Sequence, residues 1–193
     1  NFGVMISRRR FGDDVRTHGS GNAGATNMLR TYGTKAAVLT LLGDMGKAAL
    51  AVALGYLIVG TNVELFDEAT GATLRYKDQF GAAIAGLFVM LGHMFPIFFK
   101  FKGGKGVATS GMVILMLSPI TAAVCLAVFL IVVIGTRYVS LGSVMGLSLF
   151  PIVLNAWSHA YDPPRNPTAC MISVVMAVLV VFMHRENLKR LVN

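Results

Sequence analysis

Long apolar runs alternate with short polar segments along the 193-residue chain. The apolar runs cover residues 1–6, 36–60, 81–99, 107–134, 141–157 and 168–183. Within them the apolar residues do not keep to one helix face, as LAVFLIVVI over 126–134 and VLVVFM over 178–183 illustrate. Helices that are apolar on every side are typical of membrane spans, because a soluble helix keeps a polar face. The pattern predicts an all-α polytopic membrane protein formed by a single domain, rather than a large soluble helical core.

Charged residues fall between the apolar runs, and their signs orient the chain across a membrane. The formal charge is +4 over residues 7–35, +3 over 100–105 and +2 over 184–193, whereas residues 61–80 carry −2. Cytoplasmic segments of membrane proteins are rich in Lys and Arg. The three basic segments are therefore predicted to be cytoplasmic and the acidic 61–80 segment to lie outside, where it has the pattern of a short hairpin around residues 69–73.

The number of crossings depends on the long run at 107–134. A single span there would place the basic 100–105 segment and the basic C-terminal segment on opposite sides. Pro119, preceded by Ser118, favours a break, because proline lacks a backbone donor and disfavours helix in the residue before it. Two short crossings of about 14 residues, fewer than the roughly 20 of a full span, restore the parity. With residues 1–6 interpreted as the end of a helix that began upstream, the prediction is a seven-helix bundle with some short helices.

The first cytoplasmic segment contains GSGNAGATNMLR over residues 19–30. Its glycines allow backbone N–H groups to converge, and its hydroxyls, amides and Arg30 add further donors, which together suit a phosphate. The spacing also satisfies the GxGxxG dinucleotide fingerprint. That interpretation fails, because no buried strand precedes the glycines and the acidic residue about 20 positions on, Asp44, lies within a predicted span.

The second and third cytoplasmic segments also combine basic residues with other polar groups that suit an anion. FKGGKGVATS over 101–110 interleaves glycines with Lys102 and Lys105 just before a helix start, where N–H groups and the helix dipole favour an anion. It is not a nucleotide-binding P-loop, because Lys105 is followed by glycine and not by Ser or Thr. HRENLKRL over 184–191 places His184 and Asn187 on one helix face at a spacing of three residues.

A few polar residues lie inside the apolar runs. Asp44 and Lys47 are three residues apart, which predicts a buried ion pair, and His93 precedes a proline break and is interpreted as structural. The two cysteines, Cys125 and Cys170, have no metal-like spacing and indicate neither a disulfide nor a zinc site.

The segments GSGNAGATN, FKGGKGVAT and HRENLKRL, in this order, closely resemble the signature segments of the bacterial acyl-phosphate:glycerol-3-phosphate acyltransferases. The resemblance extends over nearly the whole chain, including LGHMFP and RYVSLG. It implies a seven-helix membrane enzyme of phospholipid synthesis that transfers a fatty acyl group from acyl phosphate to the 1-hydroxyl of glycerol 3-phosphate. One departure is DMGKA, where Ala48 follows Lys47 in place of the family's usual glycine.

The resemblance also implies the site residues. The residues expected to act in catalysis are Ser20, Lys105, His184 and Asn187. Those expected to bind substrate are Gly21, Asn22, Gly24, Thr26, Asn27, Arg30, Lys102, Gly103 and Gly104. His184 acts either as a general base or as a phosphate ligand while a substrate phosphate takes the proton, and the sequence leaves both open.

The expected partners are acyl phosphate, glycerol 3-phosphate and membrane lipid, with no nucleic acid, no metal ion and no cofactor. The implied location is the bacterial inner membrane, with the site on the cytoplasmic side. The alternative is a phosphate or organophosphate transporter, although transporters usually place their ligands at mid-depth and not at span ends.

Overall fold

The computed structural model describes residues 1–59, 64–67, 72–75, 79–161 and 167–192. Over these residues the chain forms α-helices, one β-hairpin and two short 3₁₀ helices, Val15–Thr17 and Ile97–Phe99. The helices are α1 (Phe2–Phe11), α2 (Ala25–Tyr32), α3 (Thr34–Val59), α4 (Phe80–Met94), α5 (Val107–Leu117), α6 (Pro119–Thr136), α7 (Val139–Ser148), α8 (Phe150–Tyr161) and α9 (Pro167–Val192), and the strands are β1 (Glu64–Asp67) and β2 (Ala72–Arg75).

In the described part of the chain, five apolar helical segments are long enough to cross a membrane, which confirms the predicted helical, multi-pass architecture. They cover Thr34–Val59, Phe80–Phe99, Pro119–Thr136, Val139–Trp157 and Ala169–Leu191. The apolar helix α5 is shorter, at 11 residues, and α1 has 10. The predicted number of seven is therefore reached only when these two short helices are counted with the five long ones.

The predicted break at Pro119 is confirmed, but it divides the run unequally. Ser118 is the N-cap of α6, and its hydroxyl accepts a hydrogen bond from the backbone N–H of Thr121 at 3.3 Å. Proline at the first helical position needs no intrahelical donor, so α6 begins there without penalty. The helices have 11 and 18 residues, where halves of about 14 were expected, and α5 is only ~16 Å long.

A second break, which the apolar pattern does not reveal, separates α7 from α8 at Leu149. Pro151 follows at once, and its missing N–H and its ring disrupt a continuous helix. The predicted hairpin is confirmed, with Glu64 opposite Arg75 and Asp67 opposite Ala72 in antiparallel strands. Its turn falls outside the described residues.

Helix α3 packs against α1, α2, α4 and α5. It approaches α4 at Gly55 and Gly81, where a Cβ on either residue would meet the other's carbonyl oxygen. Small residues allow such backbone contact between membrane helices. The outer surface is apolar, with Leu57 69% and Ile134 76% exposed, as expected of side chains that face lipid.

Candidate active site

The three polar segments meet at one end of the bundle. The ammonium of Lys105, in the second segment, donates a hydrogen bond to the Oδ1 of Asn187 in the third. The Arg16 guanidinium, just ahead of the first segment, donates to the carbonyl oxygens of Phe99 and Lys102, each at 2.9 Å. The bundle therefore brings together residues that are more than 80 positions apart in sequence.

A cavity of about 890 Å³ opens between these segments. Its polar end is lined by Ser20, Asn22, Gly24, Thr26, Asn27, Arg30, Lys105, His184 and Asn187. The lining from α5, α6 and α7 is mostly apolar and includes Ile114, Leu115, Ala122, Leu126, Phe129 and Val139. The cavity thus combines cations and hydrogen-bond donors, which suit an anion, with an apolar lining that suits a hydrocarbon chain.

The buried side chain of Asn27 holds the first segment together through hydrogen bonds to the loop backbone. Its Nδ2 donates to the carbonyl oxygens of Val15, His18 and Asn22 at 2.9–3.0 Å. Its Oδ1 accepts from the Ser20 backbone N–H at 3.0 Å. All of the donors and one acceptor position of this amide are therefore engaged with the loop backbone, and Asn27 fixes the position of Ser20.

Ser20, Thr26 and Arg30 are the groups in this segment that remain available to a ligand. All three are exposed and line the cavity. Their side chains make no hydrogen bond to any residue in the described part of the chain. A hydroxyl pair and a guanidinium at one end of a cavity can bind a phosphoryl group through charge-assisted hydrogen bonds.

Lys105 contributes a second cation to the polar end. Burial, together with the nearby charge of Arg190, lowers the pKa of its ammonium from the ordinary lysine value to about 8. Both effects disfavour the charged form, because less water and a like charge surround the amine. A bound anion would favour the charged form of the amine again.

His184 is buried at the edge of the cavity, where its tautomer can be assigned from its partner. Its Nδ1 lies 2.8 Å from the carbonyl oxygen of Val180. A carbonyl only accepts hydrogen bonds, so Nδ1 carries the proton, and the neutral ring keeps the lone pair on Nε2. Such a nitrogen can accept a proton from a hydroxyl group bound in the cavity.

Comparison with known proteins identifies the family. The sequence profile described as "Glycerol-3-phosphate acyltransferase" matches residues 1–193. The chain belongs to the glycerol-3-phosphate acyltransferase family. Membership makes it an acyltransferase enzyme, as the resemblance of its three polar segments implied.

Individual relatives are similar in sequence over nearly all of this chain and over most of their own length. The glycerol-3-phosphate acyltransferase of Clostridioides difficile (strain 630) is 37% identical over 98% of this chain and 83% of its own. That of Bacillus subtilis (strain 168) is 36% identical over 99% of this chain and 86% of its own.

A crystal structure of PlsY, an integral membrane glycerol 3-phosphate acyltransferase in its glycerol 3-phosphate form, superposes with a TM-score of 0.81. The two chains are 32% identical, and the match covers 99% of this chain and 84% of PlsY. A second PlsY structure, in its lysophosphatidic acid form, gives a TM-score of 0.78 at 30% identity.

Four of the predicted substrate-binding residues of this acyltransferase do not line the cavity. Gly21 lies in a turn, with its N–H bonded to the carbonyl of His18 at 2.9 Å, and the Lys102 carbonyl accepts from Arg16. Gly103 and Gly104 pack against the end of α4. Their expected role in binding is therefore not one of direct contact at the cavity wall.

Several cavity residues of the acyltransferase were not predicted from the sequence. Arg137 and Tyr138 line the cavity from the α6–α7 junction, where Arg137 adopts a φ of 62°. Ser140 and Ser143 of α7 line it as well. The signal available for Arg137 was its position as the only charged residue between two apolar runs, in the RYVSLG stretch.

The predicted Asp44–Lys47 ion pair is confirmed, and it includes a third member. The Lys47 ammonium lies 2.6 Å from the Asp44 Oδ1 and 2.7 Å from the His93 Nδ1. Asp44 and His93 are both buried and lie beside the cavity. A lysine that bridges a carboxylate and an imidazole satisfies both groups inside the apolar bundle.

A further ion-pair cluster holds the loop before the first segment. The Asp14 carboxylate accepts from Arg16 and from Arg8, and these bonds hold its pKa well below the ordinary value. Both guanidinium groups also lie over the Phe99 ring, at 5.6 Å and 5.7 Å from its centre. This cluster, which the sequence analysis did not single out, joins the first polar segment to the second.

Proposed function

We propose that the protein transfers a fatty acyl group from acyl phosphate to the 1-hydroxyl of glycerol 3-phosphate, at the cytoplasmic face of the bacterial inner membrane. The products are lysophosphatidate and inorganic phosphate. The observation that carries the proposal is a single cavity that joins a cluster of cations and hydrogen-bond donors to an apolar wall. Both substrates carry a phosphoryl group, which suits the cations and hydrogen-bond donors. One of them also carries a hydrocarbon chain, which suits the apolar lining.

In this reaction the polar end positions two anionic groups. Lys105 and Arg30 offset the negative charge of the phosphoryl groups, and the Ser20 and Thr26 hydroxyls donate to their oxygens. Asn187 uses its Oδ1 to hold the Lys105 ammonium, and its amide N–H groups orient the glycerol or the reacting carbonyl. The acyl chain extends between α5, α6 and α7 toward the lipid.

The chemical step is attack on an activated carbonyl. The 1-hydroxyl oxygen forms a bond to the acyl carbon, its proton passes to Nε2 of His184, and the acyl carbon–oxygen bond to phosphate breaks as phosphate leaves with the electron pair. A mixed anhydride is already activated, so positioning and charge screening supply most of the acceleration. Ser20 orients substrate in this scheme and forms no acyl-enzyme, so a covalent acyl adduct trapped on Ser20 would refute it.

The test uses the purified protein with chemically prepared acyl phosphate. We expect release of inorganic phosphate only when acyl phosphate and glycerol 3-phosphate are both present, together with an equal amount of lysophosphatidate. Turnover with an acyl thioester but not with acyl phosphate would contradict the proposed donor. Movement of phosphate or glycerol 3-phosphate across vesicles without turnover would support a transporter instead.

A further inference from the structure

The glycine pair of the second segment is bonded to the end of α4. The Gly103 N–H donates to the carbonyl oxygen of Met94 and the Gly104 N–H to that of His93, each at 3.1 Å. Lys105 follows directly and extends into the cavity. The position of the cationic side chain therefore depends on how closely this loop packs against α4.

The two glycines contact different kinds of atom. A Cβ on Gly104 would meet the edge of the His93 ring, overlapping Nε2 and lying 2.8 Å from Cε1 and 3.0 Å from Cδ2. A Cβ on Gly103 would instead meet the His93 carbonyl oxygen, with Met94 oxygen at 2.8 Å and Pro96 Cδ at 2.6 Å. Gly104 is thus limited by a side chain and Gly103 mainly by backbone.

The His93 ring is itself held in place. Its Nδ1 is 2.7 Å from the Lys47 ammonium, which also binds Asp44, and the ring is buried. The same Nδ1 lies 3.4 Å from the Asp44 Oδ1, so the lysine and the carboxylate both contact this edge of the ring, and the opposite edge faces Gly104. The imidazole is therefore a fixed surface beneath the loop and not a mobile side chain.

We propose that His93 is a positioning residue for acyl transfer: the ring, held by Asp44 and Lys47, is the surface on which Gly104 packs, and this contact sets the Lys105 ammonium beside Asn187. This inference rests on the proposed function for the identity of the reaction. It assigns Gly104 a role in close packing, where the family resemblance implied substrate binding. It also assigns the cluster of Asp44, Lys47 and His93 the role of holding the ring against which Gly104 packs.

A double-mutant cycle tests the contact. Gly104→Ala adds a methyl that collides with the ring, so we expect kcat/KM to fall by about 30-fold or more. His93→Asn keeps a side-chain acceptor for Lys47 but removes the outer half of the ring. In that background we expect Gly104→Ala to cost no more than about threefold, a coupling of about tenfold.

Two matched controls distinguish loss of the Gly104–His93 contact from a general disturbance of the loop or of α4. Gly103→Ala collides with backbone, so its loss of activity should be the same in both backgrounds. Gly92→Ala changes the residue next to His93, where a Cβ meets nothing within 4 Å, and it should leave activity unchanged in both. Equal damage by Gly104→Ala with and without the His93 ring, or equal rescue of Gly103→Ala, would overturn the proposal.

A second readout does not depend on turnover or on good yields of each variant. The rate of reductive methylation of Lys105, followed by mass spectrometry against pH, reports its neutral fraction, with a wild-type midpoint near 8. We expect Gly104→Ala to raise the midpoint by about one unit toward the ordinary lysine value, and His93→Asn to reverse that shift. An unchanged midpoint in Gly104→Ala would overturn the role of His93. A wild-type protein that does not turn over, but shows these shifts, would instead contradict the proposed function.

Discussion

At the scale of single residues, Lys105 links the electrostatics of the site to a measurable pH dependence. Its pKa of about 8 means that the cation is lost as the pH rises through 8, and with it the charge that we propose offsets the phosphoryl groups. We expect kcat/KM, which reports the free enzyme, to fall by up to tenfold per pH unit above about 8. Bound phosphate stabilises the ammonium, so the fall in kcat should begin at a higher pH.

Lys105→Arg is the control for this profile. The guanidinium keeps its charge across this range, so the variant should lose activity through altered geometry but show no decline near pH 8. A variant that declines at the same pH as the wild type would assign the titration to another group.

Asn27 provides a second prediction at this scale, because its buried amide holds the first segment together. Asn27→Ala leaves three carbonyls and the Ser20 N–H without this partner, and we expect the free energy of unfolding to fall by about 2–3 kcal/mol. Asn22→Ala removes one bond, from the Gly24 N–H at 2.8 Å, and should cost about 1 kcal/mol. Thermal unfolding in detergent compares the two, and equal losses would contradict the organising role of Asn27.

At the scale of elements, the crossing of α3 and α4 depends on backbone contact at Gly55. Gly55→Ala places a methyl against the Gly81 carbonyl, so the helices must separate and the unfolding temperature should fall. Gly46→Ala lies in the same helix, where a Cβ meets nothing within 4 Å, and should be neutral or slightly stabilising. The comparison is made by thermal unfolding, and equal behaviour of the two variants would contradict close packing at this crossing.

The elements also show how far the sequence could predict the fold. The spans, the Pro119 break and the hairpin follow from local physics, namely apolar length, a missing backbone donor and turn composition. The unequal lengths of α5 and α6 follow largely from the position of Pro119, which divides the run at 107–134 into a shorter and a longer part, and α6 gains two more residues by ending at Thr136. The break at Leu149 was missed although Pro151 was visible, because the apolar run continues through it.

For the site, too, the local sequence predicts some features, whereas others depend on contacts between distant parts of the chain. The glycines and cations of the polar segments predict anion binding from the sequence alone. Which residues face the cavity could not be predicted, because this depends on contacts such as Gly104 with His93 or Arg16 with Phe99, which join distant parts of the chain. Arg137 is the clearest case, since its place in the cavity follows only from how α6 and α7 pack.

At the scale of the whole molecule, the helical bundle encloses a cavity whose lining is partly polar and partly apolar. Helices α5, α6 and α7 supply a mostly apolar lining, in which Leu115 and Leu126 are also exposed on the outer surface, and the polar segments supply Arg30 and Lys105. A substrate with a hydrocarbon chain and a phosphoryl head group can therefore remain partly in the membrane while its reactive carbonyl reaches a water-soluble acceptor.

The most direct test of this account follows oxygen atoms through the reaction. Glycerol 3-phosphate labelled with ¹⁸O at its 1-hydroxyl is incubated with the purified protein and acyl phosphate, and the products are analysed by mass spectrometry. We expect the label in the ester linkage of lysophosphatidate, with one unlabelled inorganic phosphate released per ester formed. Phosphate release without glycerol 3-phosphate, or labelled acceptor recovered unacylated while acyl phosphate is consumed, would contradict direct acyl transfer in a shared cavity.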